Sequence, residues 1–185
     1  MTKSLSLPRQ RSSNKMDGEG ITGRGVPMRN HDGTIMLDHL GRTVYRSQYL
    51  STHPLRTDCK ERVGYGGKKF TYVSGDGVIR SMNEAFGHGG WGTEVIWERV
   101  VECEKDDRGR WVVGYLASVR VTLKDSVSHE DCGSGEGINE NKTKAHEKAI
   151  KSAVTDAMKR AARHFGERLG NALYVKGNGI RTAPK

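Results

Sequence analysis

From Asn141 to Phe165 the chain runs without a proline or a glycine and is filled with good helix formers. At about 100° per residue, Ile150, Ala153, Val154, Ala157, Met158, Ala161 and Phe165 fall on one arc. Lys144, Lys148, Lys151, Lys159 and Arg163 fall on a neighbouring arc. One long helix therefore offers both a core face and a cationic stripe. Between Lys142 and Arg163 seven basic residues meet only two acids, Glu147 and Asp156. The plain alternative is a solvated helix face. Against it, like charges four residues apart, such as Lys144 and Lys148, repel by a few tenths of a kcal/mol. A polyanion lying along the stripe removes that repulsion.

What the helix covers is written upstream. Phe70 to Val73 alternates like a short strand, Gly75-Asp76-Gly77 turns the chain, and Val78, Ile79, Met82, Ala85 and Phe86 recur at helical spacing before Gly87. After a turn at Gly89 to Gly92, Val95, Trp97, Val101 and Cys103 form one face of a half-buried strand, with Glu94, Glu98, Glu102 and Glu104 on the other. Asp106 to Gly109 is a turn, and Trp111 to Leu123 alternates over a long strand. A shorter strand follows from Val127 to Cys132, then a glycine-rich loop from Gly133 to Gly137. Strands joined by such short turns must be antiparallel. The expectation is an α+β fold, an antiparallel β-meander covered by a long basic amphipathic helix.

The patterned region spans residues 55–175, the length of one domain. Residues 1–54 read as a mostly disordered basic arm with short order around Ile35 to Leu40, and residues 176–185 as a flexible tail. The first sixteen residues hold Lys3, Arg9, Arg11 and Lys15 without an acid, which suits a basic arm and an organelle transit peptide alike. No apolar run approaches the ~20 residues that span a bilayer, so no membrane partner is expected. Cys59, Cys103 and Cys132 are odd in number and lack a C-x-x-C pair, which fits a reducing compartment.

The formal net charge of +9 suits a polyanionic partner without choosing among DNA, RNA and an acidic surface. Arg62, Lys68 and Lys69 lie beside Gly64-Tyr65-Gly66-Gly67, with Tyr72 nearby, and that mixture suits close approach of a nucleic acid. A hairpin with lysines on its rim is the alternative. The phosphate-loop spacing G-x-x-x-x-G-K-[ST] is absent. His129, Glu130 and Asp131 point alternately across a strand and cannot converge on one ion. With no catalytic constellation in view, a non-enzymatic protein without metal or cofactor is expected.

Several collinear segments look familiar. They are Val73 to Ile79, Asn83 to Gly87, Gly90-Trp91, Val119 to Leu123, His129 to Gly133, Glu147 to Ala161, Arg163, Phe165-Gly166 and Leu169-Gly170-Asn171. Together they resemble the N-terminal domain of the Rad52 family over roughly Leu55 to Tyr174. The resemblance implies a β-β-β-α core built into a closed homo-oligomeric ring. It also implies single-stranded DNA binding and complementary-strand annealing in homologous recombination and double-strand break repair, in the nucleus. Arg62, Tyr72, Lys159, Arg160 and Arg163 would line the inner groove, supported by Lys148 and Lys151. Arg110, Lys142 and Lys144 would form an outer site. The partners implied are single-stranded DNA and further copies of the chain, with double-stranded DNA or RNA as alternatives.

Glu167 and Arg168 depart from the small and polar residues usual before Leu169, and Ser134 stands where an aromatic is common. Long members continue into a region that binds the strand-exchange recombinase and the single-strand-binding protein. This chain ends soon after Tyr174, so annealing is expected rather than recombinase loading. A second expectation, from the basic N-terminus, is an RNA- or DNA-binding module of the same fold in a mitochondrion or other organelle.

Overall fold

The computed structural model describes residues 25–124 and 126–174. The elements run α1 (Arg46–Leu50), β1 (Cys59–Val63), β2 (Lys69–Val73), α2 (Gly75–Phe86), β3 (Trp91–Lys105), β4 (Trp111–Leu123), β5 (Ser128–Asn139) and α3 (Lys142–Ala162). Strands β3, β4 and β5 form one antiparallel sheet in that order, and β1 and β2 a separate hairpin. The α+β meander followed by a long helix is thus observed.

Helix α2 begins three residues earlier than its apolar spacing suggests: Gly75-Asp76-Gly77, expected as a turn, forms its first turn because Ser74 caps it. The Ser74 hydroxyl accepts from the Gly77 N–H at 3.1 Å ahead of α2, and the Asn141 side chain accepts from Lys144 N–H at 3.1 Å ahead of α3. Gly87, at φ 79, ends α2. The turn that follows closes at Gly90, so β3 already begins at Trp91.

Helix α3 crosses β4 and β5. Val73, Val78, Met82, Val121, Leu123, Ala161 and Leu169 form the main core beneath its C-terminal half, and Val113, Ala145 and Ala149 a smaller one beneath its first turns. The buried stripe differs from the expected arc. Ala145, Ala149, Ala153, Ala157 and Ala161 are fully buried, whereas Ile150, Val154 and Met158 are only half-buried on the flank.

The glycine segment explains that shift and corrects the expected loop. Gly133 to Gly137 belongs to β5, which continues to Asn139. Gly133, Gly135 and Gly137 lie opposite Ala117, Tyr115 and Val113, hence on the face that carries α3. A Cβ at Gly135 would stand 2.2 Å from the Ala149 carbonyl oxygen, and one at Gly137 2.0 Å from that of Ala145. Alanine at every fourth helix position and glycine at every second strand position let the two backbones touch.

Strand β3 also departs from expectation. Two bulges, between Val95 and Trp97 and between Val100 and Glu102, insert extra residues and reset the alternation. Val95, Glu98, Val100 and Cys103 therefore pair with the helix-side residues of β4, while Trp97 pairs with Ser118 on the other face. The single apolar face expected for Val95, Trp97, Val101 and Cys103 does not form. Nor is the strand half-buried: Val95, Trp97, Val100 and Val101 are all exposed, because α3 stops short of this edge.

The disordered arm is corrected from residue 25 onward, residues 1–24 lying outside the described residues. Bridges join Pro27 to Tyr45, Arg29 to Ile35 and Leu37 to Thr43, Met28 is buried, and α1 follows. The expected tail, residues 176–185, also lies outside the described residues.

Candidate nucleic-acid interface

Alternation along β1 puts Lys60 and Arg62 on one side of the hairpin, where they pair in register with Tyr72 and Phe70. That side faces α3 across an open groove of about 530 Å³, to which the helix contributes Lys151, Ser152, Thr155 and Lys159. Tyr72 is the meeting point. Lys159 Nζ lies 4.9 Å from its ring centre and the Arg62 guanidinium 5.9 Å, both within cation–π range.

The groove gathers cations faster than it neutralises them. Lys159 Nζ is 3.8 Å from Asp156, and Lys151 pairs with Glu147 on an exposed turn of the helix. Exposed pairs of the Lys151 kind contribute at most about 1 kcal/mol and yield readily to a phosphate. Burial pushes the Lys159 ammonium below the ordinary lysine pKa; Asp156 opposes the shift and Arg62 adds to it.

Arg160 and Arg163 extend the same side toward the end of the helix. Tyr72, Lys159, Arg160 and Arg163 line a smaller adjoining pocket. Asp131 on β5 receives Arg160 Nε at 3.2 Å, with an Arg163 amino group and His164 Nε2 each at 3.6 Å. Burial raises the Asp131 carboxyl pKa, but the Cys132 N–H, Arg160 and His164 more than offset it, so it lies below its usual value. One carboxylate thus holds three groups that suit a phosphate.

Of the expected inner residues, Arg62, Tyr72, Lys151 and Lys159 converge on one groove, Arg160 and Arg163 adjoin it, and Lys148 is exposed on α3 outside its lining. Lys60 was missed. Its signal was the alternation Lys60-Glu61-Arg62, which pairs the two cations on one face once β1 is recognised as a strand.

The profile of the Rad52/22 family of double-strand break repair proteins matches residues 43–182, most of the chain. The chain belongs to the Rad52/22 family. It is 45% identical over 117 residues to the DNA repair and recombination protein RAD52 of Saccharomyces cerevisiae, covering 63% of this chain and 25% of that protein. To RAD52 of Kluyveromyces lactis it is 47% identical over 117 residues, covering 63% and 27%. To the DNA repair and recombination protein rad22 of Schizosaccharomyces pombe it is 41% identical over 117 residues, covering 62% and 25%. The match spans about a quarter of each of these relatives.

The residues expected to form an outer site occupy the far end of the sheet. Arg110 is held by Asp106, which accepts from Nε at 2.8 Å and from an amino group at 2.7 Å. Lys142 Nζ sits 4.6 Å from the Trp111 ring centre and Lys105 Nζ 5.3 Å. Lys144 is exposed in the first turn of α3, about 22 Å along the helix from Lys159 at ~1.5 Å per residue. The structure therefore does not merge the inner and outer sets.

Two departures find local roles. Arg168 is buried, donates to the His53 carbonyl at 3.2 Å and lies 4.8 Å from the Tyr49 ring centre, tying α1 to the segment after α3. Ser134 stands on the groove's rim. His129 and Asp131 lie on the helix side of β5 and Glu130 on the other, where Glu130 pairs with Arg120 at 3.0 Å.

Proposed function

We propose that this chain binds single-stranded DNA along the groove between α3 and the β1–β2 hairpin, and anneals complementary strands without catalytic chemistry. Its biological setting is homologous recombination and double-strand break repair. The observation that carries this reading is the convergence of Lys60, Arg62, Lys151 and Lys159 from two separate elements around Tyr72. Cations held in that way contact phosphates of any sequence, because the backbone is common to all strands.

Self-association belongs to the same reading. Val95 and Val100 are 45% and 42% exposed on the side of the sheet that carries α3, and Ile150 and Val154 flank the helix away from the groove. An apolar strip on one side of the helix and a cationic groove on the other suit copies arranged side by side in a ring. Repetition of the groove then multiplies weak contacts through effective concentration.

Lys159→Ala and Arg163→Ala test the assignment. Each is expected to weaken binding similarly for all sequences and to lower the salt slope by about one unit, with slower annealing of complementary strands. An unchanged slope in both variants rejects the groove.

A further inference from the structure

We infer that Phe70 is a stacking surface for one base of the bound strand, so that the groove grips a nucleotide as well as phosphates. This rests on the reading of the groove as a nucleic-acid track. Phe70 and Tyr72 lie two residues apart on β2, on the same side of the hairpin and roughly 7 Å from each other along the strand. Their rings have different surroundings. Tyr72 meets the cations of Lys159 and Arg62. Phe70 is 48% exposed, an unusual position for a phenyl group on a surface otherwise given to lysine and arginine.

Gly64 explains how the ring is held. A Cβ at residue 64 would stand 2.4 Å from Phe70 Cε2 and 2.9 Å from Cδ2, so one side of the ring lies directly against the glycine backbone. Any larger residue would displace it. Arg62 stands opposite Phe70 in register, and Lys60 opposite Tyr72, so a phosphate seated on the two cations brings its own base toward the ring. Every base has a π-face, and stacking on an aromatic ring adds affinity without reading sequence. An apolar ring on the same face of the hairpin as Lys60 and Arg62 fits a nucleobase, which arrives attached to an anion, better than it fits an apolar peptide.

The test compares two strands of equal length, one of thymidine and one of abasic sites, binding to the full chain. Phe70→Ala is expected to weaken the thymidine strand roughly tenfold, leaving the abasic strand and the salt slope unchanged. Phe70→Trp should restore the loss. Gly64→Ala, whose backbone geometry alanine adopts freely at φ −99, should reproduce it by pushing the ring aside. Equal losses on both strands, no loss on either, or a changed oligomer mass in Phe70→Ala would each overturn the inference. If the unmodified chain binds neither strand, the groove itself is rejected along with it. If it binds both and Phe70→Ala binds as well, only the stacking contact falls.

Discussion

Lys159 shows how much a single side chain can carry in this groove. Its ammonium lies over the Tyr72 ring and near Asp156, with burial holding its pKa below the ordinary lysine value. The sign follows from the charged form being the one that binds phosphate. Because the folded pKa is lowered, that form is lost at a lower pH than for a free lysine, and affinity for single strands should begin to fall below the usual lysine range. Lys159→Arg should move the fall to higher pH, since guanidinium stays charged. Binding titrations from neutral to alkaline pH check this, and coincident profiles for the two proteins would reject it. Lys60, by contrast, carried no motif. It became visible only when the register with Tyr72 set its direction.

Among the elements, the contact between β5 and α3 is the one whose logic was written in the sequence yet misread as a loop. Glycine is depleted from strands, so a segment with glycine at alternate positions reads as flexible when taken alone. Its counterpart was also present: Ala145, Ala149, Ala153, Ala157 and Ala161 repeat every fourth residue. Only the pairing of the two stripes explains either. Gly135→Ala would drive a methyl group to 2.2 Å from the Ala149 carbonyl oxygen and 2.3 Å from the Ala153 nitrogen, backbone atoms that cannot rotate away. A loss of about 3 kcal/mol is expected. Gly92→Ala on β3, where nothing lies within 4 Å, should change stability by less than about 1 kcal/mol. Urea unfolding of both variants at one protein concentration makes the comparison. The glycine that ends α2 and the antiparallel order were legible because each depends on local chemistry and connection length alone.

At the scale of the whole molecule, the groove and the exposed edge of the sheet pose one problem. Strand β3 runs for fifteen residues yet buries little, and α3 leaves Val95 and Val100 uncovered. The sequence suggested a simple two-faced strand, because bulges have no signature in an alternating pattern and each one reverses every side chain beyond it. A long edge strand with apolar residues invites pairing, and a closed assembly removes that liability. If copies meet along this strip, Val95→Asp combined with Val100→Asp should drive the assembled mass toward that of the 20.5 kDa chain, whereas Val63→Asp on the hairpin should leave it unchanged. Light scattering gives the mass directly. The groove of each chain stays intact in the double variant, so a strand short enough to occupy one subunit should bind as before. A strand long enough to span several should lose most of its affinity, because its contacts no longer share one effective concentration. An unchanged mass would place the subunit contact elsewhere. A reduced mass with undiminished long-strand affinity would remove avidity from the account of binding.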